Sequence, residues 1–318
     1  MPVPKGPPLE FEQPVVELAV KIEDLLKTGE ITNSDVEDLI AKKEALQRKI
    51  SKKMTSWNRV ELARRPARPY TLDYVQNLFT DFIELHGDRC FGDDPALITG
   101  LARIDGMSVV VMGQQKGRDT KESIRRNFGM AHPEGYRKAL RCMKLAEKFH
   151  LPIVAFIDTP GAYPGVGAEE RGQAEAIARN LMEMAVLKTP ILAVVIGEGA
   201  SGGALGIGVG DRILMLENAW FGVISPESCS AILWGDSTKK QDLSGTMKIT
   251  ANDLKDLKVI DRIVKEPLGG AHWDPEATYE MLKGVLIEEL NELRNTDTAD
   301  LVTKRLAKYA SMAQYSEK

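Results

Sequence analysis

The sequence predicts an α/β domain with mostly parallel strand pairing and additional helices at both ends. Three observations carry this. Short apolar runs alternate with helical patterns through the middle of the chain. Those runs end in turns rich in glycine and proline, as where a parallel sheet feeds its crossover helices. Residues 15–54 and 275–310 instead show only helical spacing.

Near the start, Val15, Leu18, Ile22 and Leu25 follow helical spacing, with Gly29 as a stop. A second helix begins near Ser34, which stands three residues before Glu37 as in a capping box. It carries Val36, Leu39, Ile40, Leu46, Ile50 and Met54 on one face. The two form a helical hairpin that packs on the body of the chain or on a partner. Residues 64–69, two prolines among arginines, read as a linker. Residues 97–104 and 107–114 are apolar runs separated by Asp105-Gly106, a strong hairpin signal. A helix over 134–149 follows, with Pro133 suited to its first turn.

Two strand–turn–helix units come next. Ile153-Val154-Ala155-Phe156-Ile157 is a buried-strand run that ends in Asp158-Thr159-Pro160-Gly161, and Ala174, Ile177, Leu181 and Met184 mark the helix behind it. Residues 191–196 form a second such run, ending in a glycine-rich turn and a short helix of small residues. Residues 213–216 and 220–223 are again strand-like. In the last segment Met281, Leu282, Val285, Leu286, Leu290 and Leu293 are spaced for helix packing. The domain division expected is an N-terminal helical extension and linker over 1–69, a main domain over 70–270 and a C-terminal helical segment over 271–318.

Composition narrows the function. With 318 residues, 43% of them hydrophobic, the chain can bury a large core. A net charge of −4 argues against a protein built to coat nucleic acid or an anionic membrane. Cys90, Cys142 and Cys229 lie far apart and form no disulfide framework, which fits a reducing compartment. His86, His132, His150 and His272 are scattered and suggest no metal site. The first residues lack a signal-peptide core, and no apolar stretch reaches membrane-spanning length, so a cytoplasmic protein is expected.

Candidate chemistry concentrates in the two turns that follow strands. In Gly197-Glu198-Gly199-Ala200-Ser201-Gly202-Gly203-Ala204 small residues leave the backbone open. A helix opening there can aim two N–H groups at one oxygen, the geometry of an oxyanion hole. Tight helix packing selects the same residues, and glycine content alone does not separate the two. The other turn, residues 158–172, holds four glycines and two prolines and can form a pocket wall. Gly199-x-Ser201-x-Gly203 matches a hydrolase nucleophile elbow, but no histidine lies between His150 and His272, so one of those two would have to approach it in space to serve as base. Asp158-Thr159-Pro160-Gly161 resembles a GTPase box without the phosphate loop that should accompany it. Residues 116–126 hold five basic and two acidic side chains, a pattern typical of a solvated face and sometimes of an anion grip.

Taken together, several stretches carry a family resemblance. Gly113-Gln114-Gln115-Lys116-Gly117-Arg118, Arg125-Arg126-Asn127-Phe128-Gly129-Met130, Pro133-Glu134-Gly135-Tyr136-Arg137-Lys138-Ala139, residues 158–172 and residues 197–203 resemble, in order, the alpha-subunit family of bacterial acetyl-CoA carboxylase carboxyltransferases. So do Phe11-Glu12-Gln13-Pro14, Arg68-Pro69-Tyr70-Thr71-Leu72-Asp73-Tyr74 and Glu266-Pro267-Leu268-Gly269-Gly270-Ala271-His272.

The resemblance implies a crotonase-like spiral of ββα units. The reaction it implies is transfer of a carboxyl group from carboxybiotin, on a biotin carboxyl carrier protein, to acetyl-CoA, giving malonyl-CoA. It further implies an α2β2 assembly in which the beta subunit holds a zinc ribbon, with biotin carboxylase as another partner. No cofactor is then bound tightly by this chain. The resemblance places the ureido oxygen of biotin on the backbone N–H groups of Gly202 and Gly203. It lines the substrate pocket with Gly161, Ala162, Tyr163, Gly165 and Ala204. Phe221-Gly222-Val223-Ile224-Ser225-Pro226-Glu227 also resembles the segment where crotonase-type hydratases place a catalytic glutamate. That leaves a CoA-thioester hydratase or isomerase as an alternative, with a non-catalytic scaffold as another and a helix-start carboxylate as the simple role of Glu227.

Overall fold

The structure, a computed structural model, describes residues 3–4, 6–28 and 33–312. The stop expected at Gly29 lies outside them. Helices α1 (Gln13–Thr28) and α2 (Asn33–Lys53) form the hairpin read from their spacing. It packs on the body of the same chain: Val15 and Ala19 close on Trp273, with Leu46 and Ile50 alongside. Glu12 pins the entry to α1. Its buried carboxylate accepts from His272 Nε2 at 2.6 Å and from the Leu9 N–H at 3.0 Å, and faces Arg65 at 3.3 Å.

The stretch read as a linker is a turn between two helices, α3 (Ser56–Ala63) and α4 (Thr71–Leu78). It is not solvated. Arg68 is fully buried and forms a two-pronged pair with Glu266 at 2.6 and 2.8 Å, while its Nε donates to the Ile196 carbonyl at 2.8 Å. The Glu266 carboxylate also accepts from Asn218 and Ala271 N–H groups. A guanidinium taken out of water needs such a complete set of partners, and a single chain does not reveal them to sequence reading.

One eight-stranded sheet forms the centre. Strands β1 (Thr80–Glu84), β2 (Leu97–Ile104) and β3 (Met107–Gln114) run antiparallel. Asp105 and Gly106 both have positive φ, 48° and 73°, the type I′ turn that matches strand twist. After α5 (Thr120–Arg125) and α6 (Pro133–Phe149), the pairing turns parallel. β4 (Ile153–Thr159) and β5 (Ile191–Ala200) are buried along their whole length, and α7 (Val166–Glu170) and α8 (Gln173–Val186) lie between them in sequence. Burial on both faces explains their uninterrupted apolar runs.

β5 is longer than its apolar run. Residues 197–200, expected as a turn, continue the strand because β7 (Trp220–Gly222) pairs beside Glu198, Gly199 and Ala200. The turn proper is α9 (Ser201–Leu205), and β6 (Arg212–Leu216) follows it. Then come α10 (Pro226–Trp234), α11 (Lys240–Thr246), α12 (Ala251–Asp256) and β8 (Arg262–Val264), the last parallel to β6.

Two helices close the described chain, α13 (Pro275–Arg294) and α14 (Thr298–Ala310). Leu282, Leu286 and Leu290 of α13 enter the same core as the sheet. In α14, Arg305 is buried and donates to both oxygens of Asp211 and to the carbonyls of Met184, Leu187 and Thr189, at 2.6–3.0 Å. Among the described residues no helix is long and apolar enough to cross a membrane.

Candidate functional site

Parallel pairing sets the carboxyl ends of β3, β4 and β5 side by side, the edge where α/β sheets gather ligands. Both glycine-rich turns open from that edge. Ala200 is the residue before α9, so Ser201, Gly202 and Gly203 occupy the first three positions of the helix. The N–H groups of Ser201, Gly202 and Gly203 are left without helical partners. Ser201 holds a left-handed φ of 57°, unusual for a residue with a side chain.

The two turns meet at Gly203. A Cβ there would lie 2.4 Å from the Gly161 carbonyl carbon and 2.5 Å from the Ala162 nitrogen, so only glycine lets the backbones approach. At Gly202 a Cβ would meet only Ile177, at 3.6 Å. Ala204 is buried inside α9.

The facing loop is held from several sides. Thr159 Oγ1 donates to the Gly161 carbonyl at 2.6 Å and accepts its N–H at 3.1 Å. Tyr163 N–H donates to the Ala131 carbonyl at 3.0 Å, and Gln173 Nε2 donates to the Tyr163 carbonyl at 3.0 Å. The Tyr163 ring stacks on His132 at 4.1 Å between centroids, and Gly165 fits beneath its edge at the start of α7. Gly161, Ala162 and Gly203 are therefore in contact, with Tyr163 and Gly165 forming the next part of the same wall.

Sequence reasoning missed a chain of charges along this edge. Lys116 Nζ lies 2.7 Å from Asp158 Oδ1 and 2.8 Å from Glu198 Oε2. Arg64 Nε lies 2.6 Å from Glu198 Oε1, and its other nitrogens hold both oxygens of Glu227 at 2.5 and 3.3 Å. Burial pushes the Glu198 carboxyl up, but Lys116 and Arg64 outweigh it and hold it at about 2. Burial lowers Lys116 as well, yet its two carboxylates outweigh that and keep it protonated. Burial raises Asp158, assisted by the neighbouring Glu198 charge and opposed by Lys116.

This network corrects the reading of residues 116–126 as one solvated face. Lys116 and Arg126 are largely buried, while Lys121 and Arg125 are exposed. The signal available was a glutamate and an aspartate at the ends of runs otherwise free of charge.

Two alternative chemistries lose their geometry. His150 caps the end of α6 just ahead of β4, whereas Ser201 follows β5 at the opposite edge of the parallel pair. His272 is committed to Glu12. Neither serves Ser201 as a base. The Glu227 carboxylate, the candidate for hydratase chemistry, is engaged at both oxygens by Arg64. Among the described residues no three His, Cys, Asp or Glu side chains are grouped to hold a metal.

Comparison with known proteins gives this arrangement its context. The chain is 56% identical to the acetyl-coenzyme A carboxylase carboxyl transferase subunit alpha of Chlorobaculum parvum, over 97% of each chain. It is 54% identical to that of Geobacter metallireducens, over 97% of this chain and 98% of that one, and 51% identical to that of Flavobacterium johnsoniae, over 97% and 99%.

Among solved structures, a Pseudomonas malonate decarboxylase hetero-tetramer in complex with coenzyme A superposes with a TM-score of 0.57 at 17% identity, over 70% of this chain and 89% of that one. The transcarboxylase 12S structure with methylmalonyl-coenzyme A superposes with a TM-score of 0.55 at 18% identity, over 79% of this chain and 43% of that one. The fold is thus the crotonase-like α/β fold, with helices added at both ends. The family model described as acetyl co-enzyme A carboxylase carboxyltransferase-like matches residues 8–313, and the chain belongs to that family.

Proposed function

We propose that this chain is the alpha half of a biotin-dependent carboxyltransferase that forms malonyl-CoA from acetyl-CoA for fatty acid biosynthesis. The observation that carries the reading is identity above 50%, over nearly the full length, to carboxyl transferase alpha subunits. The contact between Gly203 and the Gly161–Ala162 peptide supports it, because it brings the two glycine turns together at the ligand edge of the sheet.

The partner set proposed is a beta subunit in an α2β2 assembly, a biotin carboxyl carrier protein and biotin carboxylase. Zinc is assigned to the beta subunit, and the compartment to the cytoplasm. The three free cysteines agree with a reducing environment.

Carboxybiotin, delivered on the carrier as substrate, supplies an N-carboxyl group whose departure leaves negative charge on the ureido oxygen. In this reading the N–H groups of Gly202 and Gly203 stabilise that charge as it develops. The Gly161–Ala162 peptide, Tyr163 and Gly165 form the wall that positions the bicyclic ring and excludes water. The electron pair left on biotin takes the proton from the acetyl methyl group, and the acetyl-CoA carbanion so formed attacks the released CO2 to make the new C–C bond of malonyl-CoA, so this chain needs no side-chain base. The ion-paired state of Glu227 agrees with that division of labour and with no hydratase role.

The experiment is reconstitution. The purified chain alone should leave acetyl-CoA unchanged. With its beta partner and a carboxybiotin donor it should yield malonyl-CoA. Hydration of an enoyl-CoA by the chain alone, or no carboxyl transfer by the assembled complex, overturns the proposal.

A further inference from the structure

The contact that demands glycine at position 203 also creates a problem. Glycine is the least restrained residue in the backbone, yet an oxyanion donor has to be fixed before the charge appears. The Gly203 carbonyl has no ordinary helical partner: α9 stops at Leu205, and the Ile207 N–H turns instead to the Ala204 carbonyl at 3.4 Å.

Two side chains from outside the turn take that carbonyl over. Gln114, fully buried at the end of β3, donates from Nε2 at 3.0 Å, and Tyr136 of α6 donates from its hydroxyl at 3.3 Å. The opposite arm of the Gln114 amide accepts the Asp158 N–H at 3.1 Å. With one arm donating and the other accepting, its orientation is fixed, since a flipped amide would face like groups on both sides. Burial raises the Tyr136 phenol, which therefore stays protonated and able to donate. Its ring also lies where a Cβ of Gly206 would come within 2.6 Å, so the tyrosine grips the turn at two places.

We infer that Gln114 and Tyr136 are positioning residues of this reaction: by holding the Gly203 carbonyl they fix the Gly203 N–H, two backbone rotations away, on the oxygen it stabilises. This rests on the reading of Gly202 and Gly203 as the oxyanion donors. Gln114 also ties the donor turn to the end of β4, so the three strand ends and α9 move as one unit. Two buried hydrogen bonds to one carbonyl supply the rigidity that glycine lacks.

The test uses the full chain assembled with its beta subunit. Gln114→Glu keeps the acceptor arm toward Asp158 but sets a carboxylate against the Gly203 carbonyl, and Tyr136→Phe removes the second donor. Each should lower kcat by roughly 10- to 100-fold at neutral pH with KM for acetyl-CoA unchanged, the scale expected of a small misplacement.

A pH profile separates positioning from mere stability. Below neutrality the carboxyl introduced by Gln114→Glu protonates and can donate again, so its kcat should recover relative to the unmodified enzyme. Gly203→Ala is measured alongside. If Gly203→Ala loses turnover while both other variants keep it, or their effect falls on KM alone, the positioning inference is overturned. If Gly203→Ala itself keeps full turnover, the oxyanion reading falls with it. Loss of kcat in both variants with acid recovery in Gln114→Glu supports the inference.

Discussion

Gly202 and Gly203 are neighbours under opposite constraints. Alanine at 202 meets only an ordinary contact with Ile177 and gains helix propensity, so Gly202→Ala should leave the melting temperature unchanged or raised. Alanine at 203 must displace the Gly161–Ala162 peptide, at an overpacking cost of about 1–3 kcal/mol. Its turnover should fall by about 10²–10³-fold, the scale of losing one oxyanion donor. Thermal melting and carboxyl transfer, measured on both variants, check the contrast.

Glu198 and Glu266 give a second residue-scale prediction. Both are held at about 2 when folded, against burial, by Lys116 with Arg64 and by Arg68 respectively. A depressed carboxylate stabilises the fold fully above its unfolded value near 4.5, and that stability drains away as pH falls from there toward 2. Denaturant midpoints should therefore be flat around neutrality and fall steeply below about pH 4.5. Glu266→Gln should be less stable at neutral pH and show a shallower acid slope. These residues were the least legible in the sequence. The pairs Lys116–Asp158, Arg64–Glu198 and Arg68–Glu266 join positions far apart in the chain, and nothing local distinguishes a buried arginine from a solvated one.

Elements were legible where local chemistry and tertiary demand agree. Asp105-Gly106 between two apolar runs predicts β2, β3 and their turn, because the residues that tolerate positive φ sit where the turn needs it. The apolar run of β4 was equally clear. The far end of β5 was not, since the small residues there suit a turn, and only pairing with β7, twenty residues on, makes them strand. The helices on either side of residues 64–69 were missed for a similar reason: their short amphipathic faces pack on elements distant in sequence.

The hairpin of α1 and α2 carries its own prediction. Its anchor is Glu12, whose carboxylate is held in charged form by His272, the Leu9 N–H and Arg65 against the cost of burial. Glu12→Ala leaves those donors buried without their acceptor, at a cost of about 1–3 kcal/mol. Limited proteolysis should then cut within α1 and α2 before the sheet domain is attacked. Cleavage at the unmodified rate would show that the apolar contact with Trp273 suffices alone.

For the whole molecule, the sheet's order and mixed pairing place both glycine turns at the carboxyl ends of the strands, while α14 fastens the segments that lead into β5 and β6. Arg305 is the main fastening. Arg305→Met leaves Asp211 buried and short of its ion-pair partner, which should cost about 3–5 kcal/mol and lower the melting temperature by several degrees. The proposed oxyanion turn lies elsewhere, so kcat of the surviving folded complex should stay near that of the unmodified enzyme. Calorimetry and turnover on the same preparation check both statements.

The position of Arg305 also bears on how the protein is made. The residue closes on the segment ahead of β5 and on Asp211 just ahead of β6, yet every strand of the sheet is translated before it. Synthesis proceeds at on the order of 5–20 residues per second and domains fold as they emerge. The strands therefore emerge with buried Asp211 still short of its arginine, until α14 leaves the ribosome. A nascent chain stalled before α14 should be held in a protease-sensitive state, and emergence of α14 becomes the event that commits the subunit to its native form.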